Sequence, residues 1–418
     1  MRWLANLLAR ICLASLAVIS LAPATRAAAP PVPACSWPFE STGRGLTNLA
    51  TPDTNATYWV MPVDTGLWGA VVVQGAYPAA RFFGFSSYKA TGALIDTTYD
   101  SHIVPDPGST NPFAAPAGNG PHNYTLTIGA SALGSANLLS AAGSRLAFVV
   151  YRVYVPDQGL DRTGGVGVPV VSLVGRDGSV RRLQPCPFAS AETSLGNMAT
   201  LLLASGFSDA ADFLQNILTA ALHRQVSITG NCNASQPGPA AVPFGAAPGE
   251  NFFPNPQTTY LQTPNLCLQP GKVVLVRGRA FVFPNTYLGG SVFQPAFDDQ
   301  VQVRYWSMCN NDGVIPYPVV ACQADFQTRL GQDQFYTYVV SNDPAPPPWL
   351  PADATWLPWG PTNAPITLIF RSILPENSTI AGDYHPTGVF CDQELFVAQG
   401  WQACFEAAGV SVATGPQP

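Results

Sequence analysis

The 418-residue sequence contains little charge, and it is especially poor in lysine. Only Lys89 and Lys272 occur, charged residues make up 11% of the chain, and the formal net charge is −6. A sparse and acidic set of charges offers no basic surface for nucleic acid and no basic amphipathic helix for anionic lipid. We therefore expect neither nucleic acid nor a charged membrane surface as a partner.

The sequence also lacks an apolar run long enough to span a bilayer. Its start instead resembles a secretory signal peptide. Met1-Arg2 is followed by a short apolar stretch from Ile11 to Leu21, and small residues and prolines come next. We assign residues 1–29 to a cleaved leader and expect a mature protein, without a transmembrane segment, that is secreted or periplasmic.

Close cysteine or histidine pairs, which a zinc site would need, are absent from the sequence. Cys12 lies in the predicted leader, which leaves an even number of cysteines for an oxidising compartment. We therefore expect four disulfides among Cys35, Cys186, Cys232, Cys267, Cys309, Cys322, Cys391 and Cys404.

Spacing suggests how these cysteines pair. Cys309 and Cys322 flank the turn signal Asn310-Asn311-Asp312-Gly313, so they are expected on one hairpin. By position, the other predicted pairs are Cys35–Cys186, Cys232–Cys267 and Cys391–Cys404. The last pair lies in a predicted helix beginning at Asp392, which would hold the two residues about 20 Å apart. The pairing therefore requires the helix to break, and we predict the break at Gly400.

An internal repeat dominates the sequence. Five blocks recur in the same order at nearly constant separation, and they are rich in β-branched and aromatic residues that end at glycine or proline. The matched blocks begin at Thr57 and Thr259, Ala70 and Lys272, Arg81 and Arg304, Tyr124 and Tyr336, and Leu146 and Pro365.

The repeat predicts a mainly β protein with two tandem jelly-roll-like β-sandwich units. The first unit is assigned to residues 30–190 and the second to residues 250–390. Between them, residues 191–249 contain helical periodicity and a linker rich in proline and glycine. Residues 391–418 are expected to form a C-terminal helix and tail.

Several motifs resemble a bacterial family of unknown function, the one numbered twelve-fourteen, and its frequent partner, twelve-fifty-four. The resemblance rests on Pro348-Trp349-Leu350-Pro351-Ala352, on the strand from Ala364 to Arg371, and on Pro52 to Tyr58. It implies jelly-roll-like sandwiches and brings no catalytic residues with it. The sequence departs from the family pattern in its eight cysteines and in Pro348, where asparagine is usual.

Residues shared by both copies are candidates for structural roles. Arg81 matches Arg304, Arg152 matches Arg371, and Asp100 matches Asp325. An arginine in an apolar strand needs an acceptor, because an unpaired buried charge is costly. We expect each aspartate to pair with an arginine of its own unit.

Residues present in one copy only are candidates for chemistry. Asp96, Tyr99, Asp100 and His102 fall within seven positions, and strand alternation would place the two aspartates and the histidine on one face. A histidine beside carboxylates can act as a general acid or base. The alternative is a polar strand end held by local hydrogen bonds.

Two further sets are candidates for binding. Trp349, Trp356 and Trp359 lie in a proline-rich loop, where exposed indoles would stack on sugars or apolar ligands; the alternative is a loop with buried rings. Asp157 and Asp161 lie in a glycine-rich loop that could bind calcium as a cofactor or could simply be a turn.

Together these features favour an exported protein that binds a glycan or apolar small molecule, or that associates with a surface. The alternative is a secreted hydrolase or lyase that uses the Asp96–His102 segment with or without a metal, and a purely structural role is a third possibility.

Overall fold

The computed structural model describes residues 35–116, 118, 120–129, 136–187, 240–246, 253–293, 301–314, 317–374, 380 and 382–412. Within these ranges the chain forms twenty β-strands and one α-helix, together with short 3-10 turns. The strands before residue 190 are β1 (Phe39–Ser41), β2 (Ala56–Asp64), β3 (Trp68–Ala76), β4 (Ala80–Lys89), β5 (Leu94–Tyr99), β6 (Asn123–Gly129), β7 (Asn137–Ser140), β8 (Leu146–Pro156), β9 (Val170–Gly175) and β10 (Val180–Leu183). The later elements are β11 (Ala240–Val242), β12 (Gly245–Ala246), β13 (Thr258–Gln262), β14 (Lys272–Arg279), β15 (Tyr305–Asp312), β16 (Val319–Ala324), β17 (Phe335–Ser341), β18 (Ala354–Pro358), β19 (Ile366–Ile373), β20 (Thr387–Asp392) and α1 (Gln393–Ala407).

The strands build four five-stranded sheets whose order repeats between the two halves. In the first half the orders are β1-β2-β8-β4-β5 and β10-β9-β3-β6-β7; in the second they are β12-β13-β19-β15-β16 and β11-β20-β14-β17-β18. The registers agree as well, because Gly84 lies opposite Arg152 and Ser307 lies opposite Arg371. The mainly β fold and its repeated layout are therefore confirmed, and Arg152 and Arg371 occupy equivalent positions.

Each half is a sandwich with its own apolar core. In the first half, Val71 and Leu126 of one sheet meet Phe85 and Tyr151 of the other. In the second half, Val276 and Tyr338 meet Trp306 and Phe370. Alternate side chains of each strand point to these cores, because successive side chains of a strand lie on opposite faces of its sheet.

The central strands are buried on both faces, and β8 is accordingly a nearly continuous apolar run. Every residue of β8 from Leu146 to Val155 is buried, as is all of β15. Their second faces meet in a shared cluster, where Phe82 and Tyr154 of the first half pack with Tyr305 and Ile373 of the second. The two sandwiches thus adjoin through the sheets that contain β8 and β19.

The helix α1 covers the outer sheet of the second half and breaks where predicted. Phe396 and Phe405 of α1 pack on Leu275 of β14. Gly400 interrupts the helix with φ 80° and ψ −177°, a backbone region that side chains strongly disfavour. The break allows Cys391 and Cys404 to bond, although the Asp392 side chain at the N-terminus makes no capping hydrogen bond.

Three predicted disulfides are confirmed: Cys35–Cys186, Cys309–Cys322 and Cys391–Cys404. Cys267 is also disulfide-bonded, whereas Cys232 lies outside the described residues. The predicted helical insert lies outside them too.

Part of the predicted linker is instead strand. Residues 240–242 form the edge strand β11, which pairs with β20, and residues 245–246 form the edge strand β12, which pairs with β13. Small residues suit these positions because edge pairing needs backbone groups rather than large side chains. Within the described part of the chain, no helix is both long and apolar enough to cross a membrane.

Candidate functional site

The two units exchange ion pairs across their contact. Arg81 of the first unit bonds Asp325 of the second at 2.9 Å, and Arg304 of the second bonds Asp100 of the first at 3.2 Å. All four side chains are at least 95% buried. The expectation that each aspartate pairs within its own unit is therefore wrong, because the arginines point away from their own sandwich and into the partner unit.

The two exchanged ion pairs lie next to each other. The Arg304 side chain also approaches the Arg81 carbonyl at 3.5 Å, and the Arg81 Nε donates to the Thr286 hydroxyl at 3.0 Å. The aspartates start equivalent 3-10 turns, Asp100–His102 and Asp325–Gln327, so each carboxylate is fixed at the end of a strand. These contacts define how the sandwiches are oriented.

Burial dominates the electrostatics of the two carboxylates. It raises the pKa of Asp325 to about 6, although Arg81 and the Trp306 and Phe326 backbone N–H groups oppose the rise. Burial also raises the pKa of Asp100 against the opposing effect of Arg304. Desolvation thus outweighs pairing at both carboxylates, which is typical of buried ion pairs.

A second polar cluster lies around Asp53, in the loop before β2. The Asp53 Oδ2 accepts hydrogen bonds from the Tyr305 hydroxyl at 2.8 Å and from the Ser307 hydroxyl at 2.7 Å. Nearby, Arg371 donates to the Thr51 carbonyl at 2.5 Å. The loop of the first unit is thereby held against β15 and β19 of the second.

The equivalent arginine of the first unit makes related contacts. Arg152 donates to the Ser86 hydroxyl at 2.8 Å, to the Tyr88 hydroxyl, and to the Phe253 carbonyl at 3.1 Å. The shared arginines thus do have the structural role that the repeat predicted, with acceptors that include the neighbouring unit.

The structure splits the predicted cluster of Asp96, Tyr99, Asp100 and His102. Asp96 accepts the Ser140 backbone N–H at 2.7 Å, and Asp100 points into the unit contact. The placement of these residues on one face is wrong, because the strand ends at Tyr99 and the 3-10 turn changes the direction of the chain from Asp100 onward. Tyr99 and the exposed His102 remain together, with the hydroxyl 3.2 Å from the imidazole Nε2.

The three tryptophans form no exposed platform. Trp359 is 1% exposed, and the Trp356 Nε1 donates to the Ser341 hydroxyl at 2.9 Å from within β18. Trp349 is partly buried against Phe396 of α1. The alternative of buried rings therefore describes this segment, because β18 extends the sheet and α1 covers it.

Of the two aspartates proposed for calcium, Asp161 is engaged in a turn. The Asp161 Oδ1 accepts the Thr163 backbone N–H at 2.9 Å and the Gly165 backbone N–H at 3.1 Å, as in a turn. Asp157 is partly buried; burial raises the pKa of its carboxyl, and Thr286 and Arg81 oppose the rise.

Sequence reasoning missed Tyr287 and Phe326, which lie at the margin of the unit contact. Tyr99, Tyr287 and Phe326 are partly buried against the cluster shared by both units. Tyr287 stacks on Phe326 with ring centres 4.3 Å apart, and Tyr99 meets His102 at 4.1 Å. We call Tyr99, His102, Tyr287 and Phe326 the aromatic margin. Tyr99 ends β5, and the other three residues lie in the 3-10 turns that contain Asp100, Thr286 and Asp325.

Comparison with known proteins supports the fold. No family model and no curated protein matches the sequence. An uncharacterised protein from Burkholderia cenocepacia is 14% identical and aligns with a TM-score of 0.51 over 86% of this chain and 82% of its own. A protein from Vibrio parahaemolyticus is 10% identical, with a TM-score of 0.41 over 81% of this chain and 89% of its own. The first likeness shows a shared fold and does not extend to function.

Proposed function

We propose that this disulfide-bonded double sandwich is an exported binding protein that takes a glycan or apolar small molecule at the aromatic margin. The observation that carries the proposal is the pair of ring contacts, Tyr287 with Phe326 and Tyr99 with His102. Partly exposed rings suit stacking on apolar sugar faces or flat ligands, and their polar atoms can supply direction.

Buried hydrogen bonds and ion pairs hold the residues next to these rings in place. Thr286 and Asp325, the neighbours of Tyr287 and Phe326, are both bonded to Arg81. Asp100, the neighbour of Tyr99, is bonded to Arg304. A site held on rigid elements loses less conformational entropy on binding. The disulfides are compatible with the secreted or periplasmic location that the leader predicts.

A hydrolase or lyase is the second candidate, and the contact between the Tyr99 hydroxyl and the His102 imidazole favours it. Such a pair can relay a proton. Asp100 is committed to Arg304 and Asp96 to Ser140, so neither orients the imidazole by a hydrogen bond in this structure. Binding therefore has the better support.

A thermal-shift screen over glycans, lipids and flat apolar compounds should yield a ligand, and calorimetry should then compare Tyr287→Ala with the unchanged protein. Loss of one stacking ring is expected to weaken binding about tenfold. Trp356→Phe, outside the margin, is the matched control and should bind normally. Normal binding by Tyr287→Ala together with weakened binding by Trp356→Phe would contradict the proposed site.

The catalytic candidate is tested by His102→Gln, which installs the residue type of Gln327 at the equivalent position of the second unit. The binding proposal predicts no turnover of the identified ligand by either protein. Turnover that disappears in His102→Gln would favour the hydrolase or lyase.

A further inference from the structure

We propose that the outer face of the sheet β10-β9-β3-β6-β7 is a docking surface for residues 208–222 of the same chain, which pack on it as an amphipathic helix. Residues 208–222 belong to the predicted helical insert and lie outside the described residues. The helix α1 packs on the equivalent sheet of the second unit in the same way. The surface is separate from the aromatic margin, so it does not depend on the ligand proposed there.

The outer sheets of the two units correspond strand by strand. The order β9-β3-β6-β7 in the first unit matches the order β20-β14-β17-β18 in the second. Gly75 pairs with Tyr124 in the first sheet and Gly278 pairs with Tyr336 in the second, so the registers agree. Three neighbouring residues on the outer face of each sheet then correspond in order: Val72, Thr127 and Ser172 in the first unit, and Leu275, Val339 and Val389 in the second.

In the second unit this outer face is covered. The helix α1 begins directly after β20, and its Phe396 and Phe405 form one apolar cluster with Leu275, Val339 and Val389. These last three residues are fully buried. A sheet with an apolar face buries that face against another element, and here the helix is that element.

In the first unit the equivalent face is apolar and partly exposed. Val72, Val170 and Val174 are half-buried, and they pack into none of the apolar clusters that the described residues form. Towards the two edges of the same face, Leu138 is 41% exposed and Val180 is 67% exposed. The one α-helix of the described chain lies on the other unit.

The loop connections show that the first unit needs an additional covering segment. In the second unit, the connection between β17 and β18 adds Trp349 and Leu350 to the cluster of α1. In the first unit, the connection between β6 and β7 is residues 130–136, in which Leu133 is the single large apolar residue. This shorter connection cannot replace two large side chains, and it leaves most of the face to another segment.

The chain between the units starts at the sheet that needs the cover. The strand β10 is an edge strand of that sheet, and residues 188–239 follow it before β11. Its neighbour β9 corresponds to β20, the strand that leads into α1. A segment tethered so close has an effective concentration on the order of millimolar, so it occupies the face ahead of a second copy of the protein.

Residues 208–222 also have the length and the periodicity for this face. A helix of these 15 residues, the length of α1, spans about 22 Å. Five strands extend about 19 Å across a sheet, so one such helix can cross all of them. The apolar residues of the segment recur at three- and four-residue spacing and share one helix face: Phe213, Leu214, Ile217, Leu218, Ala221 and Leu222.

Photo-cross-linking in the full-length mature protein identifies the occupant. Val72 is replaced by the photoreactive amino acid p-benzoylphenylalanine, the protein is irradiated, and cross-linked peptides are identified by mass spectrometry. We expect a cross-link to residues 208–222 within one chain. As a matched control, the same amino acid at Trp349, which contacts Phe396, should cross-link to α1.

A cross-link from position 72 to a second copy, or only to other parts of the chain, would overturn the proposal. So would the absence of any cross-link from position 72 while the control at position 349 reacts.

A stability comparison tests the same contact without changing the sheet. Leu214→Ala removes a side chain from the apolar helix face, whereas Asn216→Ala changes the opposite face. Alanine favours a helix at both positions, so only lost packing can destabilise the protein. Leu214→Ala should lower the denaturant midpoint of unfolding and Asn216→Ala should not; equal midpoints would overturn the proposal.

Discussion

Replacing Arg81 with methionine tests the buried contact between the units. Arg81 and Asp325 have completely buried side chains. Removing the arginine leaves Asp325 with backbone donors from Trp306 and Phe326 but without its cation. Breaking a buried pair on one side costs about 3–5 kcal/mol, so we expect the free energy of unfolding at pH 7 to fall by that amount.

Guanidinium unfolding followed by tryptophan fluorescence, with the disulfides intact, would measure this loss. The matched control is Arg145→Met, because the Arg145 Nε lies 3.9 Å from the Asp64 Oδ1 and its side chain is 70% exposed. An exposed pair of this kind contributes less than about 1 kcal/mol. If Arg81→Met loses as little stability as Arg145→Met, Arg81 is not the buried partner of Asp325.

Three further predictions concern the helix break, pH and the tryptophans. Gly400→Ala should lower the free energy of unfolding by about 1–3 kcal/mol in chemical unfolding, because alanine disfavours φ 80° with ψ −177°; an unchanged stability would contradict the break. Because burial raises the pKa of Asp325 to about 6, its folded form holds a proton more tightly than the unfolded chain. Protonation of Asp325 therefore increases the free energy of unfolding by an amount on the order of 3 kcal/mol as the pH falls from 7 to below 4. Asp325→Asn should remove that part of the pH dependence in unfolding titrations. Trp359→Ala should lower the free energy of unfolding by about 3–5 kcal/mol in the same assay, since its ring is buried. Unchanged stability would instead indicate an exposed ring.

The architecture could largely be predicted from the sequence because its signals are local. Runs of β-branched and aromatic residues that end at glycine or proline identified the strands, and repeated blocks identified equivalent positions such as Arg152 and Arg371. The conflict between a continuous helix and the Cys391–Cys404 bond identified Gly400. Each of these arguments depends only on neighbouring residues or on order along the chain.

The site could not be predicted in the same way, because an internal repeat aligns equivalent positions without showing which copy contacts which. Arg81 and Arg304 were correctly matched, yet their acceptors belong to the other unit. His102 was assigned to a strand face because nothing in the local pattern marked the 3-10 turn that begins at Asp100. The burial of Trp359 likewise depends on the parallel pairing of β18 with β17, which no local sequence pattern marks.

The exchange of ion pairs between the units is the central claim, and a double-mutant comparison tests it most directly. Arg81→Met is combined with Asp325→Asn in one cycle and with Asp100→Asn in a second, and free energies of unfolding are measured for all variants. We predict a coupling energy of about 2 kcal/mol between Arg81 and Asp325, and a clearly smaller one between Arg81 and Asp100 of the same unit. A larger coupling between Arg81 and Asp100 would show that the pairs form within each unit and would contradict the exchange.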